Sequence, residues 1–170
     1  FVGLVGTGAM GRGIAQIAAQ GGCQVLLFDA QSGAADTARA AVQEQWQRLL
    51  SKGRISEEQL QAWSARLQPV ADMAALKDCT LVVEAIVERL DIKQAVFAQL
   101  EAVVAPDAVL VSNTSSLSVT QIAAGLQRPA RFAGLHFFNP VPLMKVVEVI
   151  AGLIRILEHP DVLLDVIRDE

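Results

Sequence analysis

The chain has 170 residues, 52% hydrophobic and 19% charged, with 12 Gly, 6 Pro, 2 Cys and no Tyr; this suits one good-sized core and excludes an intrinsically disordered chain. Fourteen basic against eighteen acidic residues give a net charge of −4 and leave no cationic face, which argues against a nucleic-acid partner. No stretch reaches the roughly 18 uninterrupted apolar residues of a membrane span, and the chain opens at Phe1 directly on a strand, without the pattern of a signal peptide.

Residues 2–5 form a short apolar run that stops at Gly6, and residues 9–20 read as a helix, with Met10, Ile14, Ile17 and Ala18 near helical spacing. Gly21 and Gly22 end it, and residues 24–28 read as a second strand closed by Asp29. Strand, glycine turn, helix, glycine stop and strand make a βαβ unit, which implies a parallel pair. A helix follows over residues 34–50, stopped near Gly53. Another begins at Ser56, where Ser56 and Gln59 fit a capping box, and ends before Pro69. This helical pair is an insertion that a minimal nucleotide fold does not require, so it is a candidate for reaching toward a ligand or partner.

Residues 81–85 are a continuous apolar run with one Glu, hence a buried strand. An amphipathic helix over 91–104, a strand over 109–112 and a short helix over 117–125 follow. Two more strands, 132–138 and 145–150, flank a Pro-containing loop over 139–143. Residues 151–170 read as helical, interrupted at His159 and Pro160. The alternation predicts an α/β fold, a doubly wound, mostly parallel sheet over residues 1–152, with 153–170 as a helical tail. Cys23 and Cys79 lie 56 positions apart without a CxxC spacing; they read as buried free thiols in a reducing, cytoplasmic compartment.

Gly6, Thr7, Gly8, Ala9, Met10 and Gly11 spell G-x-G-x-x-G between a predicted strand and a predicted helix. Gly6 permits the tight turn, Gly8 lets the backbone approach a pyrophosphate, and Gly11 lets helix and strand pack closely. The helix N-terminus offers unpaired N–H groups and partial positive charge to that anion. Asp29 follows Gly11 by 18 positions, near the spacing of about 20 expected for the acid that binds ribose hydroxyls. Such an acid repels a 2′-phosphate, and no Arg follows it closely, so NAD is favoured over NADP.

The chemistry falls in the second half. His159 reads as a surface residue, whereas His136 sits at the carboxyl end of a predicted strand, the edge where open α/β sheets bind ligands. An imidazole there can exchange a proton near neutral pH, although a satisfied core histidine fits the sequence as well. Glu148 lies between Val147 and Val149 and reads as a buried acid that could orient the imidazole, or else as an edge-strand Glu pointing to solvent. In the run from Asn113 to Ser118, Ser116 or Ser118 suits a helix N-cap, or one hydroxyl faces a substrate oxygen.

Four segments carry a resemblance: VGLVGTGAMGRGIAQIAA, LVVEAIVERLDIK, VSNTSSLSV and RFAGLHFFNPVPLMKVVEVI. Together they make the chain resemble the short-chain L-3-hydroxyacyl-CoA dehydrogenase family, with a Rossmann-type cofactor domain, from residue 1 to about 152. The resemblance implies NAD-dependent oxidation of an (S)-3-hydroxyacyl-CoA to the 3-oxoacyl-CoA, as in fatty-acid β-oxidation. Short-chain substrates are its default and a 3-hydroxyadipyl thioester its variant. It implies that His136 is the acid/base on the 3-hydroxyl with Glu148 its partner, that Ser115 hydrogen-bonds the substrate oxygen and that Asn139 positions the substrate. Asp29, Glu88, Lys93 and Asn113 would join the glycine loop in holding NAD, and Lys52 would meet the phosphates of coenzyme A. Glu88 and Lys93 also fit plain helix-start charges. Family members continue into a helical domain carrying the dimer interface. Residues 153–170 do not read like it, so that domain is expected to be absent or truncated here and a homodimer belongs to the full-length protein. A non-catalytic NAD-binding protein stands as the alternative; a dehydrogenase of free β-hydroxyacids would need a catalytic lysine and a second glycine-rich loop that find no convincing match.

Overall fold

A computed structural model describes residues 1–151. In chain order these fold as β1 (Val2–Val5), α1 (Ala9–Gln20), β2 (Val25–Phe28), α2 (Ala34–Ser51), α3 (Glu57–Arg66) and β3 (Leu67–Pro69). There follow β4 (Leu81–Glu84), α4 (Leu90–Val103), β5 (Val109–Ser112), α5 (Val119–Ala123), β6 (Phe132–Phe137) and β7 (Val147–Ala151). The strands form one sheet in the order β3-β2-β1-β4-β5-β6-β7, parallel throughout except for the antiparallel β6–β7 pair. β1, β4 and β5 are buried at every position. Strands covered by helices on both faces have no wet side, so their apolar runs do not alternate. The chain winds from β1 outward to β2 and β3, then crosses back to β4. The crossover leaves a crevice beyond the carboxyl ends of β1 and β4, where such sheets take their ligands.

One core lies under α1 and α2, around Leu4, Ile14, Val42, Trp46 and Leu135. The other lies under α4 and α5, where Phe97 and Phe132 meet edge-on at 4.7 Å. The α2–α3 pair closes on Trp46 and Trp63, with ring centroids 5.5 Å apart, and Arg66 Nη1 donates to the carbonyl of Ala19 at the end of α1. Both arms of the predicted capping box are present: Ser56 N–H donates to Gln59 Oε1, and Gln59 N–H donates to Ser56 Oγ. Cys79 is buried, which pushes its thiol up to about 11, and Cys23 is half-buried; no disulfide joins them. No helix among the described residues is long and apolar enough to cross a membrane.

Three details differ from the sequence reading. β3 is a three-residue edge strand ending in Pro69, too short to carry a period, and Pro is tolerated there because an edge residue owes the ladder no N–H. The helix expected over 117–125 contracts to α5, capped by the Ser118 hydroxyl, which accepts from Gln121 N–H. β7 begins at Val147 rather than at 145 and extends to Ala151, paired with Ala133, so Ala151 is strand and not the start of a helical tail. The remainder of that tail, with His159, lies outside the described residues.

Candidate active site

The glycine loop leads from β1 into α1. Gly6 has φ of +92°, and a Cβ there would lie 2.8 Å from the Ala85 carbonyl oxygen. At Gly11 a Cβ would fall 1.9 Å from the Gly6 carbonyl oxygen, so no side chain fits. Gly8 is the opposite case: a Cβ would meet nothing within 4 Å and would project into open space at the helix N-cap. The first turn of α1, which Ala9 and Met10 open, holds no acidic residue to compete for an anion. A cavity of about 650 Å³ begins here, lined by Gly6, Gly8, Asp29, Ile86 and Val87 among others. A second, of about 380 Å³, continues past Asp29 along Gln31, Ser32 and Asp36.

Asp29 stands at the end of β2. Its Oδ2 accepts from both the amide and the hydroxyl of Thr7 at 2.8 Å, and its Oδ1 accepts from Gln31 N–H at 2.9 Å. Partial burial favours the neutral acid, but the Gln31 and Thr7 bonds outweigh it and hold the carboxyl below its ordinary value. The acid predicted for the ribose is therefore ionised, aimed by the residue between the first two glycines, and beside both cavities.

Beyond β4 and β5 the polar groups are tied together. Glu84 is fully buried, and its Oε1 accepts from Lys93 Nζ and Ile86 N–H while its Oε2 accepts from Ser112 Oγ, each at 2.6 Å. Lys93, 1% exposed, also lies 3.3 Å from Glu88 Oε2. Its ammonium thus points inside the protein, where it supports Glu88 and has no free face to offer a ligand. Glu88 Oε1 accepts from the Thr114 hydroxyl and from the amides of Ser115 and Ser116. Burial works against the Glu88 anion, yet the Thr114 bond and the Lys93 charge bring its carboxyl down to about 2. Asn113 Oδ1 accepts from Phe137 N–H at 2.9 Å and ties this segment to the strand carrying His136.

His136 and Glu148 are register partners across the antiparallel β6–β7 ladder, so their side chains share one face. His136 Nδ1 lies 2.9 Å from Glu148 Oε2. With Nδ1–H donated to the carboxylate, Nε2 keeps its lone pair and becomes the basic atom. The Glu148 side chain is 55% exposed and that of His136 is 19% exposed. Of the two readings of Glu148, the buried acid is corrected and the exposed edge-strand position holds: β7 is the last strand of the sheet, and its outer side is uncovered among the described residues. The acid is paired all the same. Ser115 and Asn139 are exposed, one on the segment after β5 and the other in the loop after β6, and Lys52 is exposed at the far end of α2 from Asp29.

The sequence reading passed over Thr7, Glu84, Ser112 and Thr114. The signal for Glu84 was present, because a carboxylate in the run Leu81–Glu84 must find a cation or several donors when its strand is buried.

Residues 1–154 match the family described as 3-hydroxyacyl-CoA dehydrogenase, NAD binding domain. The chain belongs to this family. Its dinucleotide is accordingly NAD, and the open N-cap at Gly8 and the ionised Asp29 are the features that fit it. Among curated relatives of this NAD-binding domain, the 3-hydroxyadipyl-CoA dehydrogenase of Escherichia coli is 46% identical over 152 residues, covering 89% of this chain and 32% of that protein. The 3-hydroxybutyryl-CoA dehydrogenase of Bradyrhizobium diazoefficiens is 41% identical, covering 89% and 52%. The solved 3-hydroxybutyryl-CoA dehydrogenase of Escherichia coli superposes with a TM-score of 0.88 at 45% identity, covering 91% of this chain and 33% of that one. The (S)-3-hydroxybutyryl-CoA dehydrogenase of Ralstonia eutropha superposes with a TM-score of 0.87 at 39% identity, covering 91% and 54%. The chain thus spans about a third to a half of the length of these relatives.

Proposed function

We propose that the protein containing this chain oxidises an (S)-3-hydroxyacyl-CoA to the 3-oxoacyl-CoA with NAD, and that His136 is its general base. The observation carrying this reading is the His136–Glu148 contact of 2.9 Å at the carboxyl edge of the sheet. Bound NAD supplies the acceptor for the hydride that leaves C3. The chain's own residues handle the proton: His136 Nε2 takes it from the 3-hydroxyl, and Glu148 steadies the imidazolium through Nδ1–H. Ser115 donates to the same substrate oxygen, Asn139 places the thioester, and Lys52 meets the phosphates of coenzyme A. The glycine loop and Asp29 hold the dinucleotide directly, Asn113 faces it, and Glu88 and Lys93 act by fixing the 113–116 segment.

Residues 1–152 form the cofactor domain with the catalytic pair, and 153–170 are read as a remnant of the substrate and dimer domain. Short acyl chains are favoured; similar relatives bear 3-hydroxybutyryl and 3-hydroxyadipyl names at close identities, so the dicarboxylic substrate stands beside them. A homodimer rests on the resemblance, and a cytoplasmic location on the reading of Cys23 and Cys79 as thiols of a reducing compartment. The 55% exposure of Glu148 favours a second reading for these residues taken by themselves, NAD binding without efficient turnover.

The test is NADH formation by the intact gene product with a panel of 3-hydroxyacyl-CoA thioesters. Changing His136→Gln should lower kcat by about 10³-fold or more while NADH still binds. Undiminished turnover in that variant overturns the reading.

A further inference from the structure

Glu84 is buried at the carboxyl end of β4, after Leu81, Val82 and Val83. A buried ion pair does not stabilise a fold more than well-packed apolar residues would, so this charge asks for a use beyond stability. Both routes that leave it end on the same segment. On one, Lys93 Nζ sits 2.6 Å from Glu84 and 3.3 Å from Glu88, and Glu88 holds the Thr114 hydroxyl and the amides of Ser115 and Ser116. On the other, Ser112 Oγ donates to Glu84 Oε2 and accepts from Thr114 N–H at 3.2 Å. The Asn113 amide donates to the Glu84 carbonyl at 2.8 Å, and Asn113 Oδ1 binds the amide next to His136.

We propose that Glu84 is a positioning residue for the reaction, fixing residues 113–116, and with them the Ser115 hydroxyl, through Lys93 and Ser112. The inference rests on the dehydrogenase reading above. Lys93 is one ammonium shared by two carboxylates, and it lies closer to Glu84. Glu84 thereby holds the cation off Glu88, which stays turned toward the loop. Without that charge the ammonium closes on Glu88 and draws it from Thr114. Ser112 meanwhile loses the acceptor that orients its hydroxyl and frees its lone pairs for Thr114 N–H.

The decisive variants are Glu84→Gln, Glu84→Gln with Lys93→Met, and Ser112→Ala, measured in the intact gene product beside His136→Gln. Glu84→Gln should lower kcat by about 10–100-fold, the loss that follows a displacement of about 1 Å at a positioning group. NADH affinity, held chiefly by the glycine loop and Asp29, should change far less than kcat, and amide exchange at residues 113–117 should quicken. The double variant removes the stranded ammonium, but it also removes the Lys93 contact to Glu88 and leaves Ser112 without its carboxylate acceptor, so it should recover thermal stability without recovering kcat. A kcat that returns together with stability overturns the proposal, as does wild-type kcat in Glu84→Gln. If Glu84→Gln fails to fold, Ser112→Ala keeps the charge pair and should lower kcat with folding and NADH affinity intact; unchanged kcat there overturns the proposal. Full turnover in His136→Gln would instead bring down the dehydrogenase reading itself. Loss in His136→Gln with none in the Glu84 and Ser112 variants would defeat this inference alone.

Discussion

At Glu88, burial favours the neutral acid, yet the Thr114 hydroxyl, the Lys93 charge and two loop amides bring the carboxyl from the ordinary 4.5 to about 2. A depressed folded-state pKa contributes stability that is complete above the unfolded value and is lost as pH falls toward the folded one. The stability advantage of wild type over Glu88→Gln should therefore be flat above about 4.5 and should shrink between about 4.5 and 2. Calorimetric unfolding across that range checks it, and an advantage that grows in acid would refute the assignment. Asp29 is depressed too, but it is present in both proteins and cancels in the difference. Ser115, Asn139 and Lys52 are exposed instead, and the roles proposed for them are direct contacts to substrate.

Among the elements, the β1–α1 turn separates packing from binding within a few residues. Gly11 faces the Gly6 carbonyl, so Gly11→Ala should destabilise the fold by about 3 kcal/mol, the upper range for overpacking. Gly8 faces open space but caps α1, so Gly8→Ala should cost only about 1 kcal/mol, the usual penalty of Ala at an N-cap. It should nevertheless weaken NADH binding, because the new methyl stands where the pyrophosphate approaches. Melting curves with and without NADH distinguish the two, and equal effects of both substitutions on melting would show that the contrast is misjudged. The β6–β7 ladder plays a comparable part for the proposed proton chemistry, since its register sets His136 opposite Glu148.

For the whole molecule, a ligand that binds only the folded state raises its stability. NADH at about 100 times its dissociation constant should add about 2.7 kcal/mol and lift the melting temperature by about 5–10 °C. NADPH at equal concentration should lift it far less, because a 2′-phosphate would meet the Asp29 carboxylate; equal shifts would remove Asp29 from the specificity argument. Much of this was legible in the sequence. The glycine spacing, the acid closing β2 and the histidine at the end of β6 each express a local rule, and the apolar run over 81–85 declared a buried strand. What escaped was relational. Glu84 and Ser112 lie 28 residues apart and meet only because β4 and β5 are neighbours, and the choice between the two readings of Glu148 turned on β7 being the last strand.

The hairpin that carries His136 and Glu148 has a wider consequence. The β6–β7 register sets the two residues opposite one another and Asn113 braces the same strand at Phe137, so exposed loop positions such as Leu143 and Met144 can change without moving either group. Under the proposed function, a change of substrate contacts in the loop would then leave the strand register that pairs the imidazole with its acid untouched.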